Sequence, residues 1–480
     1  DGTIGTDTYP ATYGRNEGLV IENSNVVVEN CSVMRCNRAG AKFINSEVIL
    51  NRGFTAYRIH RLATATTVSS TPAYGLVSYN SDITLSGGND VSAGLGVDNP
   101  FTFSHSHTGI QLNNSTLRTP WGGRGFDLAG SRQVGSAFAN TIPWRQLYLD
   151  VMLNTHVGLE CNNSKLDMYH SLMVYQNTTG IKATNSNLIL DELVCDHNNG
   201  TGLKADNSVI EYYRTKHSYY DDGNGPNKIL SFLKNGKNME LVNSTFKEPE
   251  FSNFKAEGLY NNYEIEGTGY KRTGSTDYKN SNQKSAISPG VTLTNSVCRL
   301  MMVNSPNGTS SVDQYASEGT PVLGSAYRVY DNSYLKFMGA SAATPLTRIP
   351  STYITGPSSN YKSQLDTVAV FANRNSTVEF NGPAIFTDAG VNVGVNNNST
   401  LIMRPHNEDG VLETLKYNLS DTNMHTKIMA QSYKACFAAN NNSTIIMKDC
   451  GDYIPYWQKS QDPYIHNDLI ASSTYNPGDV

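Results

Sequence analysis

One short segment occurs three times in succession and decides the fold. It reads GLECNNSKLDM at residues 158–168, GIKATNSNLIL at residues 180–190 and GLKADNSVIEY at residues 202–212, so the copies begin 22 residues apart. The same spacing separates Gly18 from Gly40, each five residues ahead of an Asn-Ser pair. A fixed period of this length is typical of repeat architectures, in which one small unit stacks on the next.

The dipeptide Asn-Ser is the most regular part of the repeat. It occurs thirteen times in the same setting, with first residues Asn23, Asn45, Asn80, Asn114, Asn163, Asn185, Asn207, Asn243, Asn295, Asn332, Asn375, Asn398 and Asn442. The residue three positions after the Asn is always apolar, if Cys298 is included, and the residue five positions after it is apolar except at Thr119 and Glu248. This alternation predicts a short strand with one buried face, preceded by a turn that suits Asn and Ser.

A unit of 22 residues is too short for a strand–helix–strand crossover. It predicts an all-β fold, a single-stranded right-handed parallel β-helix with loop insertions between rungs. Equivalent residues would then stack about 4.8 Å apart. The recurring Asn side chains are expected to form a structural ladder of hydrogen-bonded amides, as stacked Asn residues do in other in-register sheets. The expected members of this ladder are Asn23, Asn45, Asn163, Asn185, Asn207, Asn375, Asn398 and Asn442.

The markers also suggest a division of the chain. Residues 1–17 are expected to be an N-terminal lead-in, part of a longer chain, and residues 18–450 the β-helix. The widest gaps between markers predict insertions near residues 118–157 and 247–290. Residues 451–480, with their Tyr, Trp and Pro side chains, are expected to cap the last rung or to dock a partner.

Composition excludes several classes of protein. Only 16% of the 480 residues are charged and the net charge is -5, which gives no basic field for a nucleic-acid backbone. No run approaches the roughly 18 apolar residues of a membrane span. Aromatic residues make up 10% of the chain, which argues against disorder. The seven Cys residues show no CxxC pair, so buried thiols are expected rather than a zinc site.

Enzymes built on stacked rungs need carboxylates and bases on neighbouring rungs. When the three consecutive repeats are aligned, one group of such residues falls at neighbouring positions. This group is a weak candidate for a catalytic site. The group is Asp191, Glu192, Asp196, His170, His197 and Arg214. A solvated outer face with mixed charges accounts for the same pattern and is the favoured interpretation.

Two other patterns were weighed as metal sites. The turn Asp221, Asp222 and Asn224 offers oxygen ligands for Ca²⁺ but lacks the ordered spacing and closing Glu of an EF-hand, so a plain turn is favoured. His105 and His107 would face the same side of a strand without a visible third ligand. No metal and no cofactor are therefore expected.

With its Asn-Ser markers and apolar columns from about residue 18 to residue 450, the chain resembles the parallel β-helix proteins of tailed bacteriophages: tail fibres, tailspikes and baseplate components. The resemblance implies a structural or adhesive virion component, assembled in the bacterial cytoplasm and carried on the particle surface. It also implies a homo-oligomer, commonly a trimer, with other virion proteins and host surface glycans as partners. No family-specific catalytic motif accompanies it.

Two alternatives remain at this point. The first is a polysaccharide-degrading β-helix enzyme, a tailspike depolymerase or lyase that uses Asp and Glu on neighbouring rungs. The second is a bacterial surface adhesin. An enzymatic role is thus left open, although a non-enzymatic one is favoured.

Overall fold

A computed structural model describes the strand-forming parts of the chain. These are residues 17–59, 72–86, 101–119, 149–152, 154–168, 172–190, 193–212, 230–232, 235–247, 263–265, 269–272, 284–287, 290–301, 303–305, 324–338, 352–355, 367–381, 384–404, 428–447 and 453–455. The chain divides into two compact units, unit 1 (Asp1–Lys182) and unit 2 (Ala183–Val480). Their described residues contain β-strands and no helix, which confirms the all-β prediction for that part of the chain.

Unit 1 is built from short strands. They are β1 (Glu17–Glu22), β2 (Asn25–Met34), β3 (Ala39–Ile44), β4 (Glu47–Tyr57), β5 (Tyr74–Tyr79), β6 (Asp82–Ser86), β7 (Phe101–Ser104), β8 (Thr108–Asn113), β9 (Thr116–Arg118), β10 (Leu149–Met152), β11 (Val157–Asn162), β12 (Lys165–Met168) and β13 (Leu172–Tyr175). Strand β14 (Thr179–Thr184) contains the boundary between the units.

Unit 2 continues with strands of similar length. They are β15 (Asn187–Leu190), β16 (Leu193–Val194), β17 (Thr201–Asp206), β18 (Val209–Tyr212), β19 (Leu230–Phe232), β20 (Lys237–Val242), β21 (Thr245–Lys247), β22 (Tyr263–Ile265), β23 (Gly269–Arg272), β24 (Lys284–Ile287), β25 (Val291–Thr294), β26 (Val297–Met301), β27 (Val303–Ser305), β28 (Gly324–Tyr330), β29 (Tyr334–Met338), β30 (Thr352–Thr355), β31 (Thr367–Asn373), β32 (Thr377–Asn381), β33 (Ala384–Asn396), β34 (Thr400–Arg404), β35 (Ile428–Ala439), β36 (Thr444–Met447) and β37 (Tyr453–Pro455).

Apart from β23 and β24, the described strands pair in parallel, in three series within each unit. In unit 1 the series are β1–β3–β5–β8–β11, β2–β4–β6–β9–β12 and β4–β7–β10–β13. In unit 2 one series runs β15–β18–β21–β26–β29–β32–β34–β36. Pairing each strand with its counterpart one repeat later is compatible with a parallel β-helix, whose successive turns stack on one another.

The apolar residues three positions after each marker form columns inside both units. In unit 1, Val48 pairs with Ile83, Ile83 with Leu117 and Leu117 with Leu166. In unit 2 the column is Leu188, Ile210, Phe246, Cys298, Leu335, Val378 and Leu401. These side chains are at most 1% exposed. Each strand thus contributes its inward residues to a continuous apolar stack, which is the main source of burial free energy.

Three of the segments predicted from marker spacing contain further strands. Strand β10 lies within 118–157 and pairs in register with β7 and β13. In 247–290, β22 pairs in parallel with β19, while β23 and β24 form an antiparallel pair. Strand β37 pairs with β35 and carries the stacking to Pro455, inside the segment expected to be a cap. Apart from these strands and residues 118–119, 154–157, 247 and 290, the segments lie outside the described residues, as do residues 1–16.

The repeated Gly residues of unit 1 sit where backbones of adjacent rungs approach closely. A Cβ atom added to Gly109 would lie 2.6 Å from the carbonyl oxygen of Gly158 and 2.6 Å from Cγ1 of Val151. At Gly40 the corresponding distance to the carbonyl oxygen of Gly75 is also 2.6 Å. Real Cβ atoms have longer contacts than this. The stacked positions of Gly40 and Gly109 therefore have no room for a side chain.

We expect the substitution Gly109→Ala to lower the free energy of unfolding by about 1–3 kcal/mol, because the added methyl group overpacks this column. Gly394→Ala is a matched control, since its Cβ would meet nothing closer than 3.4 Å. Chemical denaturation of both variants checks the prediction. Equal stability of the two variants would contradict it.

Candidate functional site

The turn at each marker depends on the unusual backbone conformation of its Asn. All thirteen marker Asn residues have positive φ, between 47° and 60°. Asn tolerates this left-handed conformation better than most residues because its short polar side chain can bond to nearby backbone. The recurrence of Asn therefore follows from the backbone of the turn.

The Ser that follows each Asn links neighbouring rungs. In unit 1 the amide N–H of Ser46 donates to Oγ of Ser81 at 3.1 Å, and the N–H of Ser81 donates to Oγ of Ser115 at 3.1 Å. Each hydroxyl also donates to a carbonyl of its own rung, as Ser81 does to Tyr79 at 2.8 Å. Ser46, Ser81 and Ser115 are buried. One small side chain thus satisfies a buried amide of one rung and a carbonyl of the next.

The same Ser ladder is present in unit 2. It runs through Ser186, Ser208, Ser244, Ser296, Ser333, Ser376, Ser399 and Ser443, with N···Oγ distances of 3.0–3.3 Å. The sequence analysis assigned Ser only a role within its own turn. The structure shows that its main role is between rungs, and its presence at all thirteen markers is the signal that points to this role.

The Asn side chains also bond between rungs, but at two different positions. Nδ2 of Asn45 donates to Oδ1 of Asn23 at 3.2 Å, and Nδ2 of Asn207 donates to Oδ1 of Asn185 at 2.6 Å. The later turns of unit 2 have two consecutive residues with positive φ, such as Asn397 and Asn398. There the amide bonds join residues one or two positions upstream of the marker.

Three bonds among the described residues form that upstream ladder. Nδ2 of Asn397 donates to Oδ1 of Asn373 at 2.9 Å, and Nδ2 of Asn441 donates to Oδ1 of Asn396 at 2.8 Å and to Oδ1 of Asn397 at 3.1 Å. The lengthened turn therefore moves the ladder away from the expected positions Asn375, Asn398 and Asn442. In unit 1 a comparable bond joins Asn162 to Asn113 at 3.2 Å, next to the marker Asn163. The local turn thus decides which Asn side chain faces the neighbouring rung and forms the amide ladder.

A second corner carries a buried Asn ladder that the sequence analysis missed. In unit 1, the amide N–H and Nδ2 of Asn154 both donate to Oδ1 of Asn177 at 3.0 Å. In unit 2, the N–H of Asn198 donates to Oδ1 of Asn235 at 2.8 Å. These four side chains are at most 2% exposed. Their position three or four residues before Gly or Asn of the next strand is a pattern that a search could have used.

This corner also defines the place of His197. His197 has φ of 57°, like His105, Arg58 and Arg35 at the corresponding corner of unit 1. It immediately precedes Asn198 of the buried ladder. His197 is therefore a turn residue selected by backbone conformation.

Asp196 is the other described member of the catalytic candidate. Both of its carboxylate oxygens accept from the hydroxyl of Ser231, each at 3.0 Å. Asp191, Glu192, His170 and Arg214 lie outside the described residues. The structure therefore brings together Asp196 and Ser231, a pair that sequence phase did not suggest.

Of the residues considered as metal ligands, only His105 and His107 lie among the described residues. Asp221, Asp222 and Asn224 lie outside the described residues. The ring of His107 packs on the ring of His156, with centroids 4.7 Å apart, while His105 packs on Tyr57. Within the described ranges no three His, Cys, Asp or Glu side chains are grouped to hold a metal ion.

The described Cys residues and the secondary structure bear on two further expectations. Of the described Cys residues, none of which is in a disulfide, Cys36, Cys161, Cys195 and Cys298 are buried, and Cys31 and Cys436 are partly exposed. In the part of the chain that the structure describes, no helix has the length and hydropathy required to cross a membrane.

Charged side chains are paired on the outer face of the strands before the markers. In unit 1 the carboxylate of Glu160 accepts from Nζ of Lys182 at 2.8 Å and from Nε2 of Gln111 at 2.9 Å. In unit 2 Glu240 lies 3.0 Å from Lys237 and 3.2 Å from Lys204. Burial alone would raise the pKa of Glu240, but the hydrogen bonds and charges of the two Lys side chains outweigh it and lower this pKa. These pairs link the outer faces of neighbouring strands within each unit.

Comparison of the chain with protein-family models, with curated proteins and with solved structures found no match.

We expect Ser208→Ala to lower the free energy of unfolding by about 1–3 kcal/mol, because the N–H of Ser186 would lose its buried acceptor. Ser24→Ala is the control, since the Ser24 hydroxyl donates to the carbonyl of Glu22 in its own rung, in an exposed bond. Urea denaturation of both variants measures the difference. A loss as large for Ser24→Ala as for Ser208→Ala would show that the ladder bond is not the source.

We expect the coupling between Glu240 and Lys237 to depend on pH. The pKa of Glu240 is lower in the folded chain than in the unfolded chain, so its contribution is complete above the ordinary value of about 4.3 and is lost as pH falls through the folded value. A double-mutant cycle with Glu240→Gln and Lys237→Gln measures it, with an expected coupling below about 1 kcal/mol at pH 7. A coupling energy that persists at pH 2 would contradict this assignment.

Proposed function

We propose that this chain is a rigid structural and adhesive component of a bacteriophage particle, folded as a single-stranded right-handed parallel β-helix. The right hand follows from the strong preference of parallel strand connections. The observation that carries the proposal is the Ser ladder, repeated at rung after rung within each unit. Each rung is tied to its neighbour by backbone, Ser and Asn bonds at once, so bending between rungs would break several bonds together.

Such a body suits a spacer that carries variable surfaces. Insertions between markers leave the inward columns in register, as β20 and β25 show by pairing across 48 residues of intervening sequence. Loops that vary without disturbing the core are where binding surfaces usually lie. This supports a role in which the strands give stiffness and the segments between them contact other molecules.

The proposed partners are other virion proteins and a host surface glycan. We propose that the chain is a homotrimer, assembled in the bacterial cytoplasm and displayed on the particle surface. The described Cys residues are not joined in disulfides, which agrees with assembly in a reducing compartment. The low charge content, 16%, agrees with a protein whose surface is dominated by amide and hydroxyl groups.

Binding and cleavage assays on the same samples test the proposal. The purified chain, fluorescently labelled, is incubated with a panel of bacterial strains and with their purified capsule and lipopolysaccharide. We expect retention on one or more surfaces without new reducing or unsaturated sugar ends, and light scattering that gives three chains per particle. Asp196→Asn should change neither result.

Release of sugar ends that Asp196→Asn abolishes would replace this proposal with that of a polysaccharide-degrading enzyme. Absence of binding to every surface would contradict the adhesive role. A monomer by light scattering would contradict the trimer.

A further inference from the structure

Arg328 contributes a charged side chain to the outer face of strand β28 in unit 2. It alternates with Tyr327 and Val329, which are buried, and is itself partly exposed. Within the described part of the chain, the Arg328 side chain has no ion pair and no hydrogen bond. Its register neighbours are Thr292 and Phe371, neither of which carries a charge. The guanidinium is therefore accessible and has its donors available for a group from outside.

Two carboxylates close to Arg328 in sequence or in register already have cationic partners. Asp331, three residues after Arg328, lies 2.9 Å from the guanidinium of Arg374. In the row of outward residues, Thr292 separates Arg328 from Glu240, and Glu240 is paired with two Lys side chains. Neither carboxylate therefore accounts for the charge of Arg328.

Two aromatic rings lie beside this guanidinium. Phe371 pairs in register with Arg328, and Tyr330 lies two residues further along β28 on the same outer face. Their ring centroids are 6.2 Å apart and their planes make an angle of 85°, an edge-to-face contact that restrains both rings. Both side chains are partly exposed. Arg328 thus adjoins an ordered aromatic surface, and we call these three residues the arginine–aromatic patch.

The neighbours of the two rings are small or leave polar atoms available. The residues that follow Phe371 in its row are Gly394 and Ala438. A Cβ atom on Gly394 would lie 3.4 Å from the ring of Phe371, so this ring rests against a position without a side chain. The guanidinium of Arg374 lies over the ring of Tyr330, 5.3 Å from its centroid. Among the described residues, the Tyr330 hydroxyl has no hydrogen bond.

We propose that the arginine–aromatic patch binds a uronic acid unit of an acidic polysaccharide. The two oxygens of a carboxylate match the paired N–H donors of the Arg328 guanidinium. The apolar face of a sugar ring packs against an aromatic ring, here that of Phe371, and the Tyr330 hydroxyl bonds to a sugar hydroxyl. The inference rests on the proposed function, because it names the class of host glycan that the chain would bind.

Isothermal titration of the full-length chain with three polymers tests the site. Polygalacturonate offers both sugar rings and carboxylates, its methyl ester offers the rings without the charge, and polyglutamate offers carboxylates without sugar rings. We expect polygalacturonate to bind most tightly, because it alone can use both the guanidinium and the aromatic rings. Added NaCl should weaken this binding.

Substitutions in the patch should separate the two contributions. Arg328→Gln should weaken polygalacturonate binding by about tenfold or more, the equivalent of losing a charge-assisted hydrogen bond. Arg328→Lys keeps the charge but loses the paired donors, so its affinity should lie between those of Arg328→Gln and the wild type. Phe371→Leu should weaken binding by about threefold to tenfold, because an aliphatic side chain offers no ring to the sugar.

Arg118→Gln is the matched control. Arg118 lies on the outer face of unit 1, and its register neighbours are Thr84 and Asp167, neither of which is aromatic. This variant should bind polygalacturonate as the wild type does. Arg328→Gln should keep the melting temperature of the wild type, because its side chain has no partner to lose within the described part of the chain.

Three results would overturn the inference. One is absence of polygalacturonate binding to the wild type. Another is equal affinity for polyglutamate, which would show a site for acidic chains in general and not for a sugar acid. The third is polygalacturonate binding that Arg328→Gln leaves unchanged.

The retention assay on bacterial strains, repeated with Arg328→Gln, separates this inference from the proposed function. Retention of the wild type that Arg328→Gln does not reduce would refute the site and leave the adhesive role intact. Polygalacturonate binding that Arg328→Gln weakens, without retention on any strain, would support the site and contradict the adhesive role.

Discussion

The hydrogen bond from the backbone amide of one Ser to the hydroxyl of the Ser on the next rung is the constraint on which the rest of the structure depends. At a buried corner, such as Ser186 and Ser208, water cannot satisfy the amide. The hydroxyl can serve only if the next rung places a Ser at the same point of its turn. Because side-chain direction alternates along a strand, this requirement fixes the register of every strand that follows the corner.

The other regular features follow from that register. Because the strands that follow the Ser corner are in register, each buries the residue three positions after its marker Asn. These residues form the buried column from Leu188 to Leu401. They also hold the outward residues in line, which places Lys204 beside Glu240 of the next strand as an ion pair. Stacking thus supplies stiffness and, on the outer face, an ordered array of side chains that a ligand could recognise.

Much of this fold could be predicted from the sequence, because the Asn-Ser pairs recur from rung to rung with apolar residues three and five positions after the Asn. The prediction was less successful at the second corner. Gln176 comes thirteen residues after Asn163, whereas His197 comes twelve after Asn185, so alignment by constant phase is one residue out of step there. Nothing in the sequence around Asn177 distinguishes it from the exposed Asn residues of the turns, so its burial is visible only in three dimensions.

Disulfide trapping between neighbouring rungs tests the register most directly. Asn187 and Val209 are exposed partners that directly follow the bonded Ser186 and Ser208. Cys residues at both positions should form a disulfide under mild oxidation, since in-register Cα atoms lie about 4.8 Å apart. Cys at Asn187 and Glu211, offset by two residues and about 8 Å apart, should remain reduced. Mass spectrometry distinguishes these outcomes, and a disulfide in the offset pair but not in the aligned pair would contradict stacking through the Ser ladder.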